Sequence, residues 1–379
     1  MALATHPGQG PGEGKRRSCF LHIGPHKTGT TSIQDALFEN TEKLAEIGLR
    51  YPAITGDRAG RLRRNHTPLT RRSSLKHASL MGSTYWDELS RKLETVDDSI
   101  VISSEHFAEC LKIAQNYERV IEFFESRGFH VVVVAYVRDQ PAWLNSWYTQ
   151  DQRNFLSRDS FTQFLDRALE EGLVDPWAFL RRPIDDDRVD VRVVAFEQAV
   201  RIGITRSFLD VIGAPADLDV PEPKASNQNL GVKGVYAAQE IMRRVDGRIK
   251  SMPNYNVLYE RFKRLMRGRD WEKTAYIGFT PEQEALIRAR YADSNDSFAR
   301  AFFGVDWATL CPPRTAALRE FDFEAASEAD KRDVMEVVDQ MVEAIEASRA
   351  DAGVVLAPIR KKHVLKADAR RDVPKQRRA

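Results

Sequence analysis

A lysine, two glycines and a run of hydroxyl side chains crowd into one turn near the start of the chain. The stretch reads Cys19-Phe20-Leu21-His22-Ile23-Gly24-Pro25-His26-Lys27-Thr28-Gly29-Thr30-Thr31-Ser32. A short apolar run ends at Gly24-Pro25, and the next residues have the composition of a helix start. Such a start leaves backbone N–H groups unpaired and carries partial positive charge. Gly29 lets the main chain come close to a ligand, and the Lys27 ammonium adds a point charge. The chemistry this suits is the holding of an anion, phosphate above all. The order differs from the nucleotide-triphosphatase pattern Gly-x-x-x-x-Gly-Lys-Ser/Thr, because Lys27 precedes the second glycine instead of following it.

Two more groups of polar side chains stand where strands should end. Residues 99–104 read as a buried strand running into Glu105-His106, a titratable pair at a position where open α/β sheets place ligands. Residues 130–137 form the most apolar strand of the chain, suited to the middle of a sheet, and run into Arg138. Ser146 stands eight positions later on a predicted helix whose first turn carries Pro141. An arginine offers a planar fork of donors to an anion, and a serine one turn into a helix adds a hydroxyl. Taken alone, Arg138 could as well pair with Asp139, Ser146 could face solvent, and Glu105 and His106 could be plain surface or capping residues.

The elements that must position these groups alternate between strands and helices. After the turn, Ile33, Ala36, Leu37, Leu44 and Ile47 recur at helical spacing up to Gly48, and 49–54 reads as extended. Residues 57–76 form a basic, turn-rich stretch with Arg58, Arg61, Arg63, Arg64, Arg71, Arg72 and His66, either a solvated loop or an anion-binding lip. Helices are predicted over 85–96 and 116–126, another over the site at 159–171, then a strand at 189–196, a helix at 205–213 and a long helical stretch from Ser226-Asn227-Gln228-Asn229-Leu230-Gly231. Val334, Val337, Val338, Met341 and Ile345 form one stripe of a helix within 326–347.

With 379 residues the chain has room for one large core or a core with an appendage. The division expected is a disordered 1–17, a main domain over 18–310, a helical extension over 311–358 and a disordered basic tail over 359–379. The tail suggests attraction to an anionic membrane face as a secondary reading. A formal charge of only +2 argues against a general nucleic-acid binder. Cys19, Cys110 and Cys311 lie far apart without zinc spacing, so a disulfide framework is not expected and a reducing cytoplasm fits. No apolar run is long enough to span a bilayer, because even 131–137 stops at Arg138.

The order Pro25-His26-Lys27-Thr28-Gly29-Thr30-Thr31 resembles the 5′-phosphosulfate loop of sulfotransferases that use 3′-phosphoadenosine 5′-phosphosulfate (PAPS). The Arg138/Ser146 spacing resembles the pair with which that family binds the 3′-phosphate. The likeness runs from about Phe20 to Trp307 and is closer to bacterial, carbohydrate-directed members than to phenol or steroid enzymes. It implies a three-layer α/β fold of the P-loop type with a mostly parallel central sheet, plus a C-terminal helical extension. It also implies PAPS as co-substrate, no metal, and a hydroxyl acceptor on a glycan, glycolipid or small molecule. In this scheme His26, Lys27, Thr28, Gly29, Thr30 and Thr31 hold the 5′-phosphosulfate, with Lys27 stabilising the departing phosphate, and Arg138 and Ser146 hold the 3′-phosphate. His106 is the first choice of base, since a near-neutral pKa suits proton removal at pH 7; Glu105 is second and His66 third. Two departures stand out: Ser32 replaces the tryptophan that stacks on adenine in cytosolic members, and no Arg-Lys-Gly element is present near the end. A P-loop kinase and a catalytically idle PAPS- or glycan-binding module stay open as other classes.

Overall fold

The computed structural model describes residues 4–6, 16–55, 60–70, 84–223, 229–313 and 317–352. Its centre is a sheet of six strands: β1 (Ala4–His6), β2 (Ser18–Gly24), β3 (Leu49–Arg50), β4 (Ser99–Ser103), β5 (His130–Val137) and β6 (Val189–Ala195). Their order across the sheet is β1-β6-β5-β2-β4-β3. Strands β2 to β6 are parallel, and β1 joins the edge antiparallel to β6. This is the α/β architecture with a mostly parallel sheet that the alternating sequence pattern predicts.

Strand periodicity divides the core into two layers. Leu21, Ile23, Ile102, Val131 and Val133 face one apolar cluster, which also holds Val120, Phe124, Trp143 and Leu144 from helices Ala114–Glu125 and Gln140–Arg153. Their neighbours Phe20, Val101, Val132, Val134 and Tyr136 point the other way. There they meet Ile33 and Leu37 of helix Thr30–Glu39 and Phe208 and Leu209 of helix Ile204–Val211. Burial on both faces is why β2 and β5 read as continuous apolar runs.

The strand order also fixes where a site can form. The chain leaves β2 toward β3 and β4 on one side, and leaves β5 toward β6 on the other. Between these neighbours, at their carboxyl ends, the connections diverge and open a crevice, the place where open α/β sheets bind ligands.

Several expectations are corrected. Residues 1–17 are not uniformly disordered: Ala4–His6 pair with β6, an edge that offers backbone donors and acceptors whatever the side chains. Arg17 donates to the carbonyls of Val96 (2.6 Å) and Arg127 (2.7 Å). The helix after the turn breaks at Asn40 into Thr30–Glu39 and Thr41–Glu46, and only Leu49–Arg50 of the extended piece joins the sheet. Helices Pro176–Ile184 and Phe196–Ile202 add to the predicted set. The C-terminal stripe, by contrast, packs against the main domain as its spacing predicts: Val334, Val337, Val338, Met341 and Ile345 of helix Glu328–Ala352 are fully buried within the larger apolar cluster. The basic tail, 359–379, lies outside the described residues, as do Arg58, Arg71, Arg72 and residues 226–228.

Candidate functional site

The turn after β2 occupies this crevice. Gly24 (φ 86°) and Gly29 (φ 85°) take left-handed conformations, and so does Lys27 (φ 67°), a residue type that rarely does. Each glycine is also needed for space. A Cβ on Gly24 would stand 2.7 Å from the Cα of Glu105, and one on Gly29 would stand 3.0 Å from Cγ2 of Ile204. Gly29 is the N-cap of helix Thr30–Glu39, and among the described residues no side chain caps that helix start. Its first N–H groups therefore remain available to a ligand.

Lys27, Arg138 and Ser146 meet in one cleft of about 580 Å³. Among the described residues four cationic side chains line it, Lys27, Arg138, Arg153 and Arg201, against two carboxylates, Asp139 and Glu197. Both carboxylates are engaged. Asp139 accepts from Arg288 at 2.8 and 3.2 Å, while Glu197 accepts the backbone N–H of Asp139 at 3.2 Å and the Cys311 thiol at 3.6 Å. Burial, reinforced by the charges of Arg153 and Arg138, pushes the Lys27 ammonium down to about 8. A cation held beside other cations out of water is what a bound anion would relieve.

Helix Gln140–Arg153 supplies one wall of the cleft, from Pro141 to Arg153. The segment 275–279 lines it as well, and the Asn145 carboxamide fixes that segment by donating to the Tyr276 carbonyl and accepting from the Gly278 N–H, both at 2.9 Å. Helix Phe161–Glu171, expected over the site, lends no residue to the lining of the cleft and packs its Phe161 ring against Gly278. The segment 275–279, Asn145 and Arg153 escape a reading of sequence. Only Arg153 carries a signal, seven positions beyond Ser146 on the same helix and so on the same face.

The remaining predicted residues sit around the turn, outside the lining of the cleft. The rings of His26 and His106 pack edge to face at 4.7 Å, and Trp147 flanks His26 at 5.7 Å. Burial holds the His26 imidazole below its usual value, with the Glu105 charge pulling the other way. Half-buried Glu105 lies just beyond β4, and its Oε2 has no hydrogen-bond partner among the described residues. His106 is exposed. The Thr28 hydroxyl donates to the Pro25 carbonyl at 2.6 Å and so braces the turn rather than facing outward; the Thr30 hydroxyl points to the same carbonyl at 3.5 Å. Thr31 is exposed on the first turn of the helix.

His66 is placed for a different task than proton transfer. Its ring is fully buried, Nδ1 accepts the Ser103 N–H at 3.0 Å, and Nε2 stands 3.1 Å from the Pro52 carbonyl. Burial pushes it down to about 4, so the neutral ring cross-links the loop to the end of β4. Arg64, from the same basic stretch, pairs with Asp35 and Glu39 on helix Thr30–Glu39. It therefore forms no lip over an anion.

Among the described residues no group of three or more His, Cys, Asp or Glu side chains is placed to hold a metal ion, and no helix is long and apolar enough to cross a membrane. Comparisons with protein-family models, curated proteins and solved structures gave no match to this chain.

Proposed function

We propose that the protein transfers the sulfuryl group of PAPS to an acceptor hydroxyl, with a carbohydrate or glycolipid as acceptor. The observation that carries this reading is the meeting of Lys27 with Arg138 and Ser146, more than a hundred residues apart in sequence, in one cationic cleft where β2 and β5 diverge. The cleft suits a nucleotide with two anionic ends. The uncapped helix start and Lys27 would take the 5′-phosphosulfate, and the Arg138 fork and Ser146 hydroxyl the 3′-phosphate.

In the reaction the acceptor oxygen bonds to sulfur as the bond from sulfur to the bridging oxygen breaks. Adenosine 3′,5′-bisphosphate departs, and the acceptor proton passes to His106, with Glu105 as the second choice. Charge gathers on the bridging oxygen in a loose transition state, so positive charge and positioning supply most of the rate. Lys27 is the cation of the turn itself. Three free, buried cysteines suit a cytoplasmic setting.

Calorimetric titration tests the reading without knowledge of the acceptor. Each charge-assisted hydrogen bond to the 3′-phosphate contributes roughly 1.5 to 3 kcal/mol. Adenosine 3′,5′-bisphosphate should therefore bind at least about thirtyfold more tightly than adenosine 5′-monophosphate, with or without magnesium. Equal affinities would end the proposal, and a magnesium-dependent preference for ATP would favour a kinase. Sulfur-labelled PAPS offered with a panel of glycans then identifies the acceptor, and His106→Ala should abolish transfer while leaving bisphosphate affinity unchanged.

A further inference from the structure

A lysine in the left-handed region persists only where its surroundings over-determine it. Three hydrogen bonds do so here, each to a carbonyl of the same turn. The Thr28 hydroxyl donates to Pro25 at 2.6 Å, the Trp143 indole N–H to His26 at 2.7 Å, and the Arg138 Nη1 to Lys27 at 2.7 Å. The first is local. The other two reach back across 117 and 111 residues from the exit of β5.

Both long-range donors are themselves held. Trp143 is fully buried, with its ring edge-on to Phe179 at 6.2 Å. The Arg138 guanidinium lies 4.6 Å over the Phe196 ring, which fixes its plane while Nη1 reaches the Lys27 carbonyl. Neither bond is needed to fold a strand or a helix. What they determine is the path of the main chain at His26 and Lys27, and through it the direction in which the Lys27 side chain leaves the turn.

We infer that Trp143 and Arg138 are positioning residues that hold Lys27 in its left-handed posture, so that Arg138 serves both ends of the bound nucleotide. The identity of the ligand rests on the sulfotransferase reading; the bracing is a property of the ligand-free fold. A phosphate on Arg138 steadies the arm that holds Lys27, which makes binding at the two ends mutually reinforcing, since a coupling free energy acts equally in both directions.

Amide hydrogen exchange of the ligand-free protein tests the bracing by itself. Trp143→Phe keeps an aromatic ring in the core and removes the donor, and Arg138→Ala removes the other. Losing one hydrogen bond should raise exchange of the Ile33 amide, which donates to the Gly29 carbonyl of the turn at 3.3 Å, about fivefold in each variant, with the β5 amides unchanged. An unchanged turn in both variants overturns the inference. Binding of adenosine 5′-monophosphate and adenosine 3′-monophosphate provides a second readout. Trp143→Phe should weaken the 5′-ligand alone, and Arg138→Ala should weaken both. Arg138→Ala that spares the 5′-ligand, or Trp143→Phe that weakens both alike, reduces these residues to a phosphate ligand and a packing residue. If wild type binds neither monophosphate while exchange in the turn rises as expected, the sulfotransferase reading falls and the bracing stands.

Discussion

At the scale of single residues, Lys27 links charge to pH in two opposite ways. Its ammonium, ordinarily near 10.5, titrates at about 8 in the fold because it is buried beside Arg153 and Arg138. A bound anion favours the charged form, so affinity for adenosine 3′,5′-bisphosphate should fall roughly tenfold between pH 7 and 9.5, and the fall should vanish in Lys27→Ala. Stability moves the other way. Between about 8 and 10.5 the unfolded chain binds more protons than the folded one at this position. The contribution of Lys27 to stability is therefore present above that window and lost as pH drops through 8. Titrations at both pH values, beside urea unfolding of the ligand-free protein, separate the two effects, and an affinity that stays flat with pH would show that the ammonium does not meet the ligand. Turnover in Lys27→Ala should drop about a hundredfold, the loss of roughly 3 kcal/mol expected for one well-placed charge.

At the scale of elements, the ends of β2 and β4 are fitted to each other at Gly24. Gly24→Ala must place a side chain at φ 86° and 2.7 Å from the Cα of Glu105. Left-handed strain and overpacking together should lower stability by about 3 kcal/mol, measured as the shift of the urea midpoint. A shift below about 0.5 kcal/mol, the range of ordinary surface substitutions, would show that the two strand ends are not in contact. These elements were largely legible in the sequence, because β2, β4 and β5 are short apolar runs closed by punctuating residues, and helix Phe161–Glu171 begins at a Ser160/Gln163 capping box. Helix Pro176–Ile184 also carries its signal, an Asp175 N-cap before Pro176, and Asn40 is a fair N-cap for the second short helix, which the apolar period from Ile33 to Ile47 hides. Strand β1 has no such signal, since what fixes it is a free sheet edge contributed by residues almost two hundred positions away. The site divides in the same way. Lys27, Arg138 and Ser146 announce their chemistry through residue type, whereas Trp143 and Asn145 act through hydrogen bonds to carbonyls and amides, which no side-chain pattern reveals.

At the scale of the whole molecule, the C-terminal helix Glu328–Ala352 completes the core rather than decorating it. Its Lys233 and Arg269 partners reach Asp330 and Asp333 from the main body, and its apolar stripe joins the same cluster as β5. Met341→Ala should therefore cost about 2 to 5 kcal/mol and unfold the protein in one transition, with fluorescence and nucleotide binding lost together. Two separate transitions, with binding outlasting the first, would mark 311–352 as an independent unit. The burial of that stripe also bears on biosynthesis. A chain emerging from the ribosome presents β2, β4 and β5 long before the helix that shares their apolar cluster, so the nascent protein carries an unfinished core until residues 328–352 have emerged. How long that layer stays open is thus set by helix Glu328–Ala352, although the turn that holds Lys27 is made among the first elements.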